Sequence, residues 1–157
     1  DPISAKLTTS LNDEDAALNP DFINLEFLYN GTANEYNTNK TLTPIGNPIA
    51  SEDLSELSFD GEEALRFEDV YSWYDVLSTS FSIETIVNVR EDLGKEQAII
   101  SNFQNGGFSL FYKDGKIAFK IACGNDVFSV STNYSVGEYA HVLAVYSNSK
   151  ISLFIYV

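Results

Sequence analysis

The sequence predicts an all-β antiparallel sandwich, on three observations. The first is the stretch from Gly106 to Gly124, GGFSLFYKDGKIAFKIACG, whose centre, Asp114-Gly115, suits a two-residue type I′ turn with positive φ at both positions. That turn sets Tyr112 against Ile117, Leu110 against Phe119 and Phe108 against Ile121, so six apolar side chains share one face of the pleat. Ser109, Phe111, Lys113, Lys116, Ala118 and Lys120 share the other. The second observation is that strand candidates with alternating polarity recur along the chain, separated by Gly, Asn, Asp and Pro turns. The third is the lack of any long stretch with helical periodicity.

In chain order, Asp1 to Pro20 is polar and acidic and reads as an arm or linker, followed by one domain over residues 21–157. Phe22 to Tyr29 is the first strand candidate, with Leu25, Phe27 and Tyr29 on one face. Asn30 to Pro48 reads as a long loop rich in Asn, Thr and Gly, of a length that in a compact domain is usually functional. Leu57 to Phe59 and Ala64 to Phe67 are short strand candidates flanking an Asp60-Gly61 turn. Phe81 to Arg90 alternates cleanly, with Phe81, Ile83, Thr85, Val87 and Val89 against Ser82, Glu84, Ile86, Asn88 and Arg90. Ala98 to Phe103 and Val127 to Thr132 are further strands. Ala140 to Tyr146 and Ile151 to Val157 form a last hairpin across Ser147 to Lys150, a register that puts His141 opposite Tyr156.

Composition narrows the function. The chain has 157 residues and a net charge of -14. A field of that sign repels phosphate backbones and anionic membranes, so nucleic acid is not an expected partner. Apolar residues make up 44% of the chain, too many for a disordered acidic tail, and no apolar run approaches the length of a membrane span. Methionine is absent, position 1 included, so the chain is expected to be a processed or excised piece.

Chemistry-bearing residues are few. His141 is the only histidine and Cys123 the only cysteine, which leaves no Cys/His set for zinc. His141 is expected as a packed histidine between Leu143 and Phe154, and Cys123, by parity with Phe119 and Ile121, as a core residue. A retaining glycosidase would need two carboxyls about 5 Å apart. In Glu56-Leu57-Ser58-Phe59-Asp60-Gly61-Glu62 a serine stands where one acid would be required, and Glu84 has no acidic neighbour two residues away. For calcium, a cation that takes several oxygen ligands, the candidates are Asn30, Asp60 and Asp69, with Asp75 beside them in turn-rich sequence. Tyr71, Trp73 and Tyr74 form the dense aromatic cluster outside clear strands, the ring type that stacks on sugars. The alternative is that Trp73 plugs the sandwich edge.

Several segments, in this order, resemble the laminin-G-like domains of the concanavalin A-like jelly-roll superfamily. They are NLEFLYNGTANEYNTNKTLTPIGNP (Asn24 to Pro48), LSFDGEEALRF (Leu57 to Phe67), TSFSIETIVNVR (Thr79 to Arg90), IISNFQNGGFSLFYKDGKIAF (Ile99 to Phe119) and SVGEYAHVLAVYSNSKISLFIYV (Ser135 to Val157). Ile86 stands where that family usually has Trp, and such domains typically continue past the position of Val157 with further strands. The resemblance implies a jelly-roll β-sandwich lacking its last strands in this chain, with an open sheet edge prone to self-association. It implies an accessory module of a secreted bacterial protein, extracellular or at the cell surface, that binds glycan or a cell-surface ligand beside neighbouring domains. In some members a structural calcium ion is present. The alternatives it leaves are a structural domain packed on a catalytic neighbour, such as a calcineurin-like phosphoesterase or glycosidase, and a glycoside hydrolase of the same fold.

Overall fold

The computed structural model describes residues 42–52, 57–66, 80–103 and 107–157 in full, together with the strand backbone of 4–8, 24–29, 33–35 and 40–41. Every regular element among them is a β-strand, the strands form several antiparallel sheets, and the fold is of the jelly-roll sandwich class. The chain forms two compact units, residues 1–81 and 82–157.

In the first unit β1 (Ser4–Thr8) pairs with β2 (Asn24–Tyr29), β2 with β3 (Ala33–Glu35), and β3 with β4 (Lys40–Thr41). The polar N-terminal stretch, expected as an arm, thus contains a strand. Asn30 to Pro48, expected as one loop, holds β3, β4 and β5 (Thr43–Ile45). Strands of two or three residues carry no periodicity, so composition alone could not reveal them. A second difference concerns pairing. β7 (Leu57–Ser58) does not pair across Asp60-Gly61 with β8 (Ala64–Arg66); it pairs with β6 (Ile49–Ala50), and β8 pairs with β5. Asp60-Gly61 is still a turn: Asp60 Oδ1 accepts the Glu62 N–H at 3.0 Å, and Glu63 Oε2 accepts the Asp60 N–H at 2.9 Å. It links two separate two-stranded pairs instead of closing one.

The second unit is built from two sheets. One carries β15 (Lys150–Tyr156), β14 (Tyr139–Ser147) and β9 (Phe81–Asn88) side by side; the other runs β10 (Gln97–Ser101), β11 (Gly107–Lys113), β12 (Lys116–Cys123), β13 (Asp126–Asn133). β12 and β13 lie against β15, which makes a two-layer packing. The central hairpin has the predicted register, Tyr112↔Ile117, Leu110↔Phe119 and Phe108↔Ile121, and those six side chains are buried. Asp114 and Gly115 have φ of 49° and 75°, the positive pair of a type I′ turn. Phe81, Ile83 and Thr85 from β9 and Ala140, Val142 and Ala144 from β14 are buried by the same alternation. Each large apolar side chain so buried stabilises the fold by about 1.5–3 kcal/mol.

Cys123 departs from its expected place. It has the parity of Phe119 and Ile121 but is exposed. The core ends at Ile121, and Cys123 is the last residue of β12, paired with Asp126 across a two-residue turn. Parity sets which face a side chain takes, not whether anything covers it.

Tyr134 joins the end of β13 to the end of β9. Its N–H donates to the Gly115 carbonyl at 2.9 Å, its hydroxyl accepts the Val89 N–H at 3.0 Å and donates to the Glu138 carbonyl, and its ring stands edge-on to Tyr112 at 6.0 Å. Beside it the Gly137 N–H reaches the Val89 carbonyl at 2.8 Å.

Candidate functional site

Alternation on β9, β14 and β15 sends one set of side chains inward and leaves the other on an outer face. Ser82, Glu84 and Ile86 take that face on β9; Tyr139, His141 and Leu143 take it on β14. The hairpin register places Tyr156 opposite His141 and Phe154 opposite Leu143. Much of this face is exposed apolar or aromatic surface: Ile86 is 49% exposed, Phe154 46%, Tyr139 54% and Tyr156 66%. In its middle His141 Nε2 lies 2.7 Å from Glu84 Oε1, and the His141 ring sits 6.3 Å from that of Tyr156. The expected register of His141 is therefore present, but its side chain is 46% exposed and bound to a carboxylate rather than packed among apolar neighbours. The signal that could have found the pair was the parity of FSIETIVN, which puts Glu84 on the outer face.

Chemically, this face combines flat rings with a fixed polar pair. Tyr rings present an apolar body and a hydroxyl tip, a combination suited to a ligand that is apolar on one side and hydroxylated at its edge. Glu84 supplies acceptor oxygens, and His141 holds one of them in place while its other ring nitrogen stays available.

A second cluster lies on the four-stranded sheet. Lys120 Nζ is 2.8 Å from both carboxylate oxygens of Glu96, and it sits 4.4 Å from the centre of the Phe103 ring and 4.6 Å from that of Phe111. A cation neutralised by a carboxylate and covered by two rings is a structural clamp, not an anion receptor. Its cross-strand neighbour Ser109 is buried with its hydroxyl unpartnered. Near the β11–β12 turn, Tyr112 donates its phenol to Asp92 Oδ2 at 3.0 Å and accepts the Gly115 N–H at 3.1 Å. Burial, and after it the Asp92 bond, raise the Tyr112 phenol above its ordinary value.

The aromatic cluster Tyr71, Trp73 and Tyr74 lies outside the described residues, as do Asn30, Asp69 and Asp75. Of the three calcium candidates only Asp60 is described; it is an exposed turn residue with one carboxylate oxygen engaged by Glu62. Among the described residues no three His, Cys, Asp or Glu side chains form a group that could hold a metal ion. No helix among them is long and apolar enough to cross a membrane.

Residues 59–156 match the family model Laminin_G_3, of the concanavalin A-like lectin/glucanases superfamily. The chain belongs to that family, whose fold at superfamily level carries binding and carbohydrate-related modules. No curated protein and no solved structure matches the chain.

Proposed function

We propose that this chain is a non-catalytic binding module of a larger extracellular bacterial protein, and that it takes a glycan or other cell-surface ligand on the outer face of β9, β14 and β15. The observation that carries this is the exposure of Tyr139, Phe154 and Tyr156 around the Glu84–His141 pair. Surface aromatics grouped about a fixed hydrogen-bonding pair are a recognition surface in kind, and their solvation is costly unless something covers them. The net charge of -14 adds a preference: an anionic sugar would be repelled, so neutral glycans lead. Catalysis has no part in the proposal. The one histidine is tied to Glu84, and a glycoside hydrolase would need a second carboxyl at the spacing given above.

A structural calcium ion on oxygens of Asn30, Asp60 and Asp69 accompanies the proposal, supported by the acidic charge of the chain and the exposed turn position of Asp60. Such an ion raises the melting temperature when calcium replaces chelator; an unchanged melt removes it.

The second reading is a structural accessory domain that packs on a catalytic neighbour. It is favoured by the purely apolar members of the same face, Ile86 and Phe154. A glycan array probed with the 157-residue chain separates the two. Binding to neutral glycans that is lost in Tyr139→Ala and Tyr156→Ala supports recognition; no hit at millimolar-sensitive detection favours the packing role.

A further inference from the structure

The face of β9, β14 and β15 is unevenly charged. Its three strands hold one acid, Glu84, and one lysine, Lys150. Lys150 opens β15 beside Ser147, whereas the Glu84–His141 pair lies toward the Tyr156 end, about 20 Å away along the strand. The Glu84 end is therefore negative, in a chain whose net charge is -14.

The acid is not fully spent on its partner. His141 engages Oε1 of Glu84, and Oε2 takes no hydrogen bond among the described residues. The Glu84 side chain is 47% exposed, so that oxygen is open to a donor from outside. An imidazole that donates one hydrogen bond while neutral leaves the carboxylate its charge. The ring of Tyr156 lies against that of His141, and Tyr139 flanks His141 on its own strand.

The opposite sheet shows what such a set of groups holds. There the Lys120 ammonium sits on both oxygens of Glu96, with the Phe103 and Phe111 rings at 4.4 and 4.6 Å. A carboxylate beside aromatic faces binds an ammonium, through its charge and through the ring quadrupole. The Glu84 end of the outer face has the carboxylate and the rings, and its strands bring no lysine to them.

We infer that the ligand of this face is an amino sugar with a free, protonated amine, whose ammonium donates to Glu84 Oε2 while its ring lies against the neighbouring aromatics. The inference rests on the recognition reading above and narrows it. The acidic field that repels anionic sugars is indifferent to neutral ones and draws cationic ones in. Tyrosine rings supply the apolar face and hydroxyl tips that a sugar ring requires and a bare alkylamine does not.

Calorimetry on the full chain with two trisaccharides tests it. One is the β-1,4 trimer of glucosamine, with its amines protonated; the other is the matching glucose trimer, which has a hydroxyl in place of each ammonium. The amine trimer should bind about tenfold more tightly at low salt, the sum of an exposed ion pair and an exposed cation–π contact. Glu84→Gln should erase that ratio. Asp126→Asn makes the same change of net charge on the other sheet, at an exposed turn residue, and should leave the ratio in place. A ratio that survives Glu84→Gln, or falls equally in Asp126→Asn, assigns the preference to overall charge and overturns the inference. Trilysine that binds more tightly than the amine trimer overturns it too, in favour of a peptide. Equal binding of both trimers, or a neutral hit on the glycan array with neither trimer bound, removes the amine and leaves the recognition face standing. No binding of any glycan removes both.

Discussion

Glu84 and His141 come from strands 57 residues apart and meet at 2.7 Å on an open sheet face, side chains 47% and 46% exposed. A pair so exposed contributes little to stability, because water screens it and two side chains must be held still. Glu84→Gln is expected to change stability by no more than about 1 kcal/mol. The same substitution removes an acceptor charge from the middle of the aromatic face. Binding to any glycan found on the array should fall while the melting curve stays in place. A large loss of stability with unchanged binding would make the pair structural.

Phe119 is the deepest aromatic of the central hairpin, fully buried and 6.5 Å from Phe108. Phe119→Ala should destabilise the chain by about 3–5 kcal/mol, the range for a buried aromatic truncated to a methyl. Chemical denaturation with an unchanged slope would read this directly.

Two glycines separate backbone strain from crowding. Gly115 has φ of 75°, and an added Cβ would meet nothing within 4 Å, so Gly115→Ala should cost about 1–2 kcal/mol, the left-handed penalty alone. Gly107 has φ of 98°, and an added Cβ would lie 2.4 Å from Asn102 Oδ1 and 2.7 Å from the Asn102 carbonyl oxygen. Those same groups hold the strand, since Asn102 Oδ1 accepts the Phe108 N–H at 2.7 Å and the Asn102 N–H donates to the Phe108 carbonyl at 3.0 Å. Gly107→Ala should therefore cost clearly more than Gly115→Ala. Equal melting temperatures would count against the crowding.

The raised phenol of Tyr112 gives a direction in alkali. Its folded value lies above the unfolded one, so its contribution is fully present below the unfolded value near 10 and is lost as pH rises through the folded one. Ultraviolet titration of tyrosinate, compared between the parent chain and Tyr112→Phe, should show one phenol that ionises late. Stability of the parent should decline more steeply in that window than stability of the variant.

Cys123 offers a check on where the core stops. Its exposure predicts that the native thiol reacts with a thiol reagent at nearly the rate of the unfolded chain. Strong protection in the native state would place it inside instead.

Much of the second unit was legible because its strands are long. Seven or eight alternating residues with an Asp-Gly turn leave one register that buries Phe108, Leu110, Tyr112, Ile117, Phe119 and Ile121 together. The opposition of His141 and Tyr156 followed from the same logic. What sequence could not show was cover. Cys123 and His141 took the faces their parity demanded, yet both are exposed, because burial depends on where the opposing layer reaches. The first unit was less legible since β3 through β8 are two or three residues long, and strands that short leave no pattern to read. The candidate face was hidden for a related reason: it joins Ile86, Tyr139 and Tyr156 from three strands, none of which looks like a binding motif alone.

The hydroxyl of Tyr134 spans 45 positions of sequence to reach the Val89 amide. A proton on that amide is shielded by a bond that exists only when both ends of the unit are already folded. Its exchange with solvent deuterium should consequently follow the opening of the whole unit rather than local fraying, although Val89 lies just past the end of its strand. Contacts of such long range also form late and slow folding, so loss of the hydroxyl in Tyr134→Phe should speed unfolding more than it slows folding.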